Sequence, residues 1–230
     1  MAKKVTEKKL SSTEKEVGEF VSRSEKFIEN NKKIILYGVA AIAVIIGGFM
    51  LYNKITKEKN ENAAIAMFRG EYYFLQDSFN LALNGNGADF DGFIHIIDQY
   101  GRTKSGNLAK AYAGICFYKT GDYASAIKYL NDFNFNDDII SPAMIGLIGD
   151  CYIETGDVAQ GITFFEKAAS KANNDLLSPY FLKKAGTAFE SLQQYDKALN
   201  VYTSIKEKHA ASTEARDIDK FIIRAQLLNK

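Results

Sequence analysis

The chain has 230 residues, with 29 Lys and Arg against 28 Asp and Glu, so its net charge is +1. This balance argues against nucleic acid as the main partner, because phosphate-binding domains usually carry a basic excess. Two cysteines exclude a disulfide-scaffolded mini-protein, and only two prolines with 47% hydrophobic residues favour a mostly helical chain.

Residues 1–33 are predicted to contain an amphipathic helix. Thr13 and Glu16 have the spacing of a capping box, and the apolar residues after them share one helical face. These are Val17, Phe20, Val21, Phe27 and Ile28. Such a helix can lie on the cytoplasmic leaflet or pack on a neighbouring protein. The alternative is a solvated tail with little stable helix.

Residues 34–52 carry no charge and have Lys32, Lys33 and Lys54 at their ends. A run of about 20 apolar residues is long enough to cross a hydrocarbon core, so we expect one transmembrane helix. The alternatives are a buried core helix, which normally carries a polar stripe, and a cleaved signal peptide, which needs a shorter leader.

The flanking charges predict the orientation of this helix. Residues 14–33 carry five Lys and Arg, whereas residues 53–72 carry four. The positive-inside rule then places the N-terminus in the cytoplasm and residues 53–230 outside.

Three related segments follow one another between residues 107 and 211, the second 35 residues after the first and the third 37 after the second. The first has Gly114, Phe117, Gly121, Asp122, Ala126 and Leu130 at the shared positions. The second has Gly149, Tyr152, Gly156, Asp157, Gly161 and Phe165, and the third Gly186, Phe189, Tyr195, Ala198 and Tyr202. Such periodicity predicts stacked supersecondary units.

Each unit is predicted to be a helix hairpin. The Gly three residues before an aromatic residue lets a second helix approach the first. Gly121-Asp122 and Gly156-Asp157 are expected to end one helix and cap the next. Ser141-Pro142 and Ser178-Pro179 predict helix starts with Ser as N-cap and Pro at the first helical position.

These features resemble the tetratricopeptide repeat, a hairpin of 34 residues. Residues 119–127 (KTGDYASAI) and 154–158 (ETGDV) match its turn, whereas Gln193 replaces the usual turn Gly and no copy has the Trp of the first helix. The resemblance implies a helical-hairpin solenoid. Together with the apolar run at residues 34–52, it predicts an all-α fold: a single N-terminal transmembrane helix followed by this solenoid with a C-terminal capping helix.

The whole chain resembles the YfgM-type family of bacterial inner-membrane proteins. The resemblance rests on the short tail, the single span and residues 90–130, with the Tyr100-Gly101-Arg102-Thr103 segment before an Ala-rich helix. It implies a single-pass inner-membrane protein with a cytoplasmic N-terminus and a periplasmic repeat domain. It also implies association with the SecYEG translocon and a PpiD-like chaperone.

The remaining segments complete the expected domain organisation. Residues 53–106 are predicted to be a linker and an imperfect first hairpin, with helices at 60–83 and 90–100 and a long Asn- and Gly-rich connection at 79–91. Residues 212–230 are predicted to be a capping helix, with one apolar face formed by Ile218, Phe221, Ile222 and Ala225.

Motifs for catalysis, metal binding or cofactors are not found. His95 and His209 lie apart from Cys and from acidic pairs at ligand spacing, and Cys116 and Cys151 occupy equivalent repeat positions as core fillers. We therefore expect no enzyme, no cofactor and no small-molecule substrate.

The first helices of the hairpins are predicted to line a groove that binds protein. The first repeat contributes Leu108, Ala111, Ile115, Tyr118 and Lys119, the second Asp150, Ile153 and Glu154, and the third Tyr180, Lys183, Thr187 and Glu190. This groove is expected to be apolar at the first repeat and acidic beyond it, and to accept an extended or helical segment. The alternative is that several of these residues pack within the domain.

Two functions fit this organisation. The first is an ancillary component of the Sec translocon and periplasmic chaperone machinery, which binds SecYEG, a PpiD-like chaperone or exported polypeptides. The second is a scaffold or assembly adaptor of another envelope complex.

Overall fold

The computed structural model describes residues 12–229, which contain helices, turns and loops and no strand. Residues up to 56 form one unit and residues from 57 onward form a second. The helices are α1 (Ser12–Leu75), α2 (Phe79–Asn84), α3 (Gly92–Tyr100), α4 (Lys104–Thr120), α5 (Tyr123–Asp132), α6 (Ile140–Glu154), α7 (Val158–Ala172), α8 (Ser178–Ser191), α9 (Tyr195–Lys208) and α10 (Ile218–Leu228). A 3-10 helix, Glu214–Asp217, precedes α10.

The first unit is helical from residue 12 and includes the apolar run at 34–52. Its most apolar part is not buried by protein, and Leu36, Val44 and Phe49 are among its exposed side chains. Residues 12–229 contain one helix, α1, that is long enough and apolar enough to cross a membrane. Phe20 and Phe27 of the tail are exposed on the same helix, whereas the side chains of Thr13, Glu16 and Val17 lie outside the described part.

The helix expected at residues 60–83 has other bounds in the structure, where it begins earlier and ends earlier. The linker expected after residue 52 is helical, and α1 continues through it to Leu75. The chain then turns at Asp77, which has a φ of 52°, and the expected connection contains the short helix α2. Met67 and Ala63 of α1 are buried with Phe93 of α3, so the first hairpin is closed by apolar packing.

Three hairpins follow, and in each a glycine of the first helix contacts a large side chain of the second. A Cβ atom built on Gly114 would lie 2.5 Å from Leu130 Cγ, and one on Gly149 would lie 2.8 Å from Phe165 Cδ1. A Cβ atom on Gly186 would overlap the Tyr202 ring. The predicted close approach of the two helices is therefore confirmed.

The turns between paired helices also follow the predicted pattern. Gly121 and Gly156 have φ values of 83° and 84°, and Gln193 takes the same left-handed conformation at 57° without the freedom of glycine. Asp122 and Asp157 then accept hydrogen bonds from Ser125 N and Gln160 N at the starts of α5 and α7.

The predicted serine N-caps are wrong. The carboxylate of Asp137 accepts hydrogen bonds from the backbone N–H of Ile139, Ile140 and Ser141, and Asn174 Oδ1 accepts from Leu176 and Leu177. Asp and Asn side chains can accept several N–H groups at a helix start. The hydroxyls of Ser141 and Ser178 instead donate to the carbonyls of Phe135 and Ala169.

Helix α10 covers the last hairpin as predicted. Ile218 and Ala225 are fully buried and Phe221 and Ile222 partly buried in the cluster formed with Ala198, Tyr202 and Ile205 of α9. The core of the second unit consists of four such neighbouring clusters along the chain. This arrangement is typical of a solenoid, in which each hairpin contacts its neighbours.

The contact between Gly114 and Leu130 can be tested by a double-mutant cycle. Gly→Ala inside a helix normally stabilises by about 0.5–1 kcal/mol, but here overpacking should lower the free energy of unfolding by about 1–3 kcal/mol. Urea unfolding of Gly114→Ala followed by circular dichroism measures this cost. In a Leu130→Ala background the same change should cost nothing. An equal cost in both backgrounds would contradict the proposed contact.

The cap formed by Asp137 predicts a dependence of stability on pH. Burial opposes ionisation of this carboxyl, but the three backbone N–H groups hold its pKa below the usual 3.8. Asp137→Ala should therefore lower the free energy of unfolding by about 1 kcal/mol at pH 7. The difference from the parent should shrink as the pH falls below 4 and through the lowered pKa.

The matched control is Asp138→Ala, because the Asp138 carboxylate has no hydrogen bond to any residue in the described range and is exposed. The free energy of unfolding of this variant should equal that of the parent at pH 7 and below pH 4. Equal destabilisation by the two substitutions would show that the effect is one of local charge and not of the cap.

Candidate protein-binding groove

A cleft of about 580 Å³ lies between α6 and α8, the first helices of the second and third hairpins. It is lined by Asp150, Ile153, Val158, Phe165, Tyr180, Lys183, Lys184, Thr187, Ala188, Ser191 and Glu214. Five of the predicted groove residues are brought together here: Asp150, Ile153, Tyr180, Lys183 and Thr187. We call this cleft the α6–α8 groove.

The floor of the groove is apolar. Ile153 and Val158 form its partly exposed surface, and the buried side chains of Phe165 and Ala188 lie below that surface. Phe165 of α7 also fills the space beside Gly149 of α6. The floor exists because α7 packs against both α6 and α8. Tyr180, Thr187 and Ser191 stand on the exposed rim.

Asp150, Lys183 and Lys184 of the groove are paired within the protein, whereas Glu214 has no ion pair with any residue that the structure describes. Lys184 Nζ lies 2.5 Å from Asp150 Oδ1 and 5.0 Å from the centroid of the Phe165 ring. Lys183 Nζ lies 2.8 Å from Asp217 Oδ1 and 4.7 Å from the centroid of the Phe221 ring. Hydrogen bonds from Lys183 and Lys220 lower the pKa of Asp217 to about 2.

The expectation that Asp150, Glu154 and Glu190 make the groove acidic is therefore wrong. Asp150 is neutralised by Lys184, and Glu190 Oε1 accepts a hydrogen bond of 3.2 Å from Arg224 Nε of α10. The Glu190 side chain is only 12% exposed and does not line the groove. Glu154 is exposed outside the cleft.

The prediction that Ala111 lines the groove is also wrong. Ala111 is 4% exposed, because it lies three residues before Gly114 and so shares the packed face of α4. Leu108 and Lys119 are exposed on α4, and Ile115 is half-buried, all outside the α6–α8 groove.

Tyr118 connects the first repeat to this region. Burial raises the pKa of its phenol, and the neighbouring carboxylates of Asp150 and Glu154 raise it further. The Tyr118 ring also lies 5.8 Å from that of Tyr123, centroid to centroid. Tyr118 thus adjoins α6 although it does not line the cleft.

Sequence reasoning missed Val158, Phe165, Lys184, Ala188, Ser191 and Glu214 as lining residues. The repeat period contained a usable signal, because Asp150 and Lys184 are 34 residues apart, as are Lys183 and Asp217. Oppositely charged residues about one repeat length apart stand on neighbouring hairpins, where their side chains can meet.

Reactive side chains elsewhere do not assemble into a site. Among residues 18–229 there is no cluster of three or more His, Cys, Asp or Glu that could hold a metal ion. His209 Nδ1 lies 2.6 Å from Asp175 Oδ1, a contact between successive repeats, and His95 is exposed on α3. Burial raises the pKa of Cys116 and of Cys151 to about 12. Thiols in that state are poor nucleophiles.

These two cysteines should therefore be nearly inert in the folded protein. A shift from 9.0 to about 12 leaves roughly a thousandfold less thiolate at pH 7. Labelling with a soluble thiol reagent should be correspondingly slow until denaturant is added, when both thiols should react. The exposed variant Ser170→Cys is the positive control. Fast labelling of the native parent would contradict the burial of both side chains.

The comparisons with known proteins agree with this architecture. A family model described as tetratricopeptide repeat matches residues 112–134, which span the end of α4 and α5. No curated protein sequence gives a significant match.

Among solved structures, a candidate kinesin light chain of Podosopora anserina with nearly identical TPR-like repeats superposes with a TM-score of 0.51. It shares 12% sequence identity, over 75% of this chain and 86% of that one. A second structure, of a variant of the same protein, gives a TM-score of 0.49 at 12% identity, over 75% of this chain and 85% of that one. At this identity the first match speaks for the fold alone, which is a tetratricopeptide-like helical solenoid.

Proposed function

We propose that this chain is a membrane-anchored interaction protein whose repeat domain binds a partner polypeptide in the α6–α8 groove. The observation that carries the proposal is the apolar floor of a cleft of about 580 Å³ whose lysines are already paired. Repeat solenoids use such surfaces to bind proteins.

The chemistry of the groove specifies the kind of segment that fits. Ile153 and Val158, which are partly exposed, offer apolar contact, and the paired lysines provide no free cation for an acidic peptide. The favoured occupant is a segment that buries apolar side chains, as an amphipathic helix or an extended strand would. Tyr180, Thr187 and Ser191 on the rim can supply hydrogen bonds.

The anchor is the helix at residues 34–52. Its apolar side chains are not covered by other parts of the protein, and its length matches the thickness of the hydrocarbon core of a bilayer. We place the N-terminus in the cytoplasm and residues 53–230 in the periplasm of a bacterial inner membrane. Tethering would raise the effective concentration of the groove near other membrane proteins.

For the partner we propose the SecYEG translocon, a PpiD-like chaperone or polypeptides exported by them. The support is the resemblance to the YfgM-type family in the order of tail, span and repeats. In this role the domain assists the export of envelope proteins. The second proposal, a scaffold or adaptor of another envelope complex, uses the same anchor and groove.

Site-specific photo-crosslinking in native membranes tests both proposals. A photo-reactive amino acid at Thr187, on the rim of the groove, should yield adducts with the partner. The matched control is Thr163 on α7, because both threonines are exposed and both hydroxyls donate to the carbonyl four residues earlier. Mass spectrometry of the Thr187 adducts then identifies the partner.

The outcomes separate the proposals. Adducts with SecYEG subunits, a PpiD-like chaperone or exported chains support the first, and adducts with another envelope complex support the second. Absence of adducts at Thr187, or the same adducts from Thr163, would exclude binding in the α6–α8 groove.

A further inference from the structure

The outer face of α1 in the second unit is apolar and exposed. Ile65, Phe68, Tyr72 and Leu75 are 75%, 73%, 55% and 77% exposed. The opposite face of the same helix is buried through Ala63 and Met67. These four exposed residues, which we call the α1 stripe, therefore take no part in packing the first hairpin.

The spacing of the α1 stripe is that of a helix-pairing surface. The residues follow one another at intervals of three, four and three, the alternation of a and d positions in a heptad. Beside the stripe a cleft of about 450 Å³ opens between α1 and α3, lined by Ile65, Phe68, Phe90 and Ile96 among others. The cleft leaves room beside the stripe for side chains of a second helix.

The charges beside the stripe are neutralised locally. Arg69 Nη2 lies 2.8 Å from Asp89 Oδ2. A hydrogen bond from Asn86 and the charge of Arg69 lower the pKa of Asp89, so this pair stays ionised. Burial and the charge of the half-buried Glu71 raise the pKa of the Tyr112 phenol, so this carboxylate lies near α4. One turn before the stripe, Glu61 continues the same helix face, and its carboxylate lies 3.9 Å from Lys57 Nζ. This contact reduces the repulsion where two identical surfaces meet.

We propose that the α1 stripe is the contact between two copies of this chain, whose α1 helices pair in parallel about a two-fold axis. A two-fold interface uses the same patch on both copies, and a patch without free charge satisfies that condition. Copies anchored in one membrane lie on the same side of it, where their stripes can meet.

The area also fits a second copy. Four side chains of this size at these exposures present on the order of 500 Å² per copy, or about 1,000 Å² for a pair, which is the lower limit for a specific interface. Such an interface is weak between free molecules. Confinement to one membrane raises the effective concentration and makes it sufficient.

Disulfide crosslinking of the full chain tests the proposal. Purified Leu75→Cys protein, reconstituted in liposomes, contains only copies of itself. Equivalent d positions of paired helices come close enough for a disulfide, so mild oxidation should give a product of twice 25.6 kDa. Cys116 and Cys151 are buried and stay silent. The control Ser170→Cys, exposed on α7, reports random collision.

The expected result is at least fivefold more dimer from Leu75→Cys than from Ser170→Cys. Adding Phe68→Glu, a change at an exposed position, should reduce the Leu75→Cys dimer to the collision level while the helical content stays constant. Equal crosslinking from both cysteines, or dimer that persists with Phe68→Glu, would overturn the proposal. Adducts of Leu75→Cys with a different protein in native membranes, in place of the dimer, would overturn it too.

Discussion

The repeat domain depends on one recurring contact. In each hairpin a glycine of the first helix, which has no side chain, lies against a large side chain of the second helix. Gly114, Gly149 and Gly186 leave the space that Leu130, Phe165 and Tyr202 fill. This contact brings the paired helices close enough to exclude water between them. It also fixes which face of each first helix is turned away from its partner, and hence which residues are available to line a groove.

Much of this architecture could be predicted, because periodic spacing reports directly on packing. The glycines at the helix–helix contacts, the turn glycines Gly121 and Gly156, and the caps at Asp122 and Asp157 recur at the spacing of the repeats. The misplaced N-caps had a different cause, since Asp137 and Asn174 lie several residues before the helix starts that Ser141 and Ser178 suggested. The charges of the groove were misjudged because an isolated carboxylate in a sequence does not reveal its partner, which here stands on the next hairpin.

Several polar contacts between neighbouring hairpins join residues that are the same distance apart in the sequence. Asp150 with Lys184, Lys183 with Asp217, and Glu190 with Arg224 are each separated by 34 residues. The last two pairs join the third hairpin to the 3-10 helix and α10, so the C-terminal segment stands where the first helix of a fourth hairpin would stand. The capping helix is thus held by the same register that stacks the repeats, in addition to its apolar face.

Phe165 both fills the space beside Gly149 and lies at the floor of the α6–α8 groove. Because Phe165 is buried, any substitution there changes the closure of a hairpin together with the support of the groove above it. The floor is therefore constrained by folding, whereas the rim residues Tyr180, Thr187 and Ser191 are free of that constraint. Divergence in partner choice among proteins built this way would accumulate at the rim, on a floor that can hardly vary.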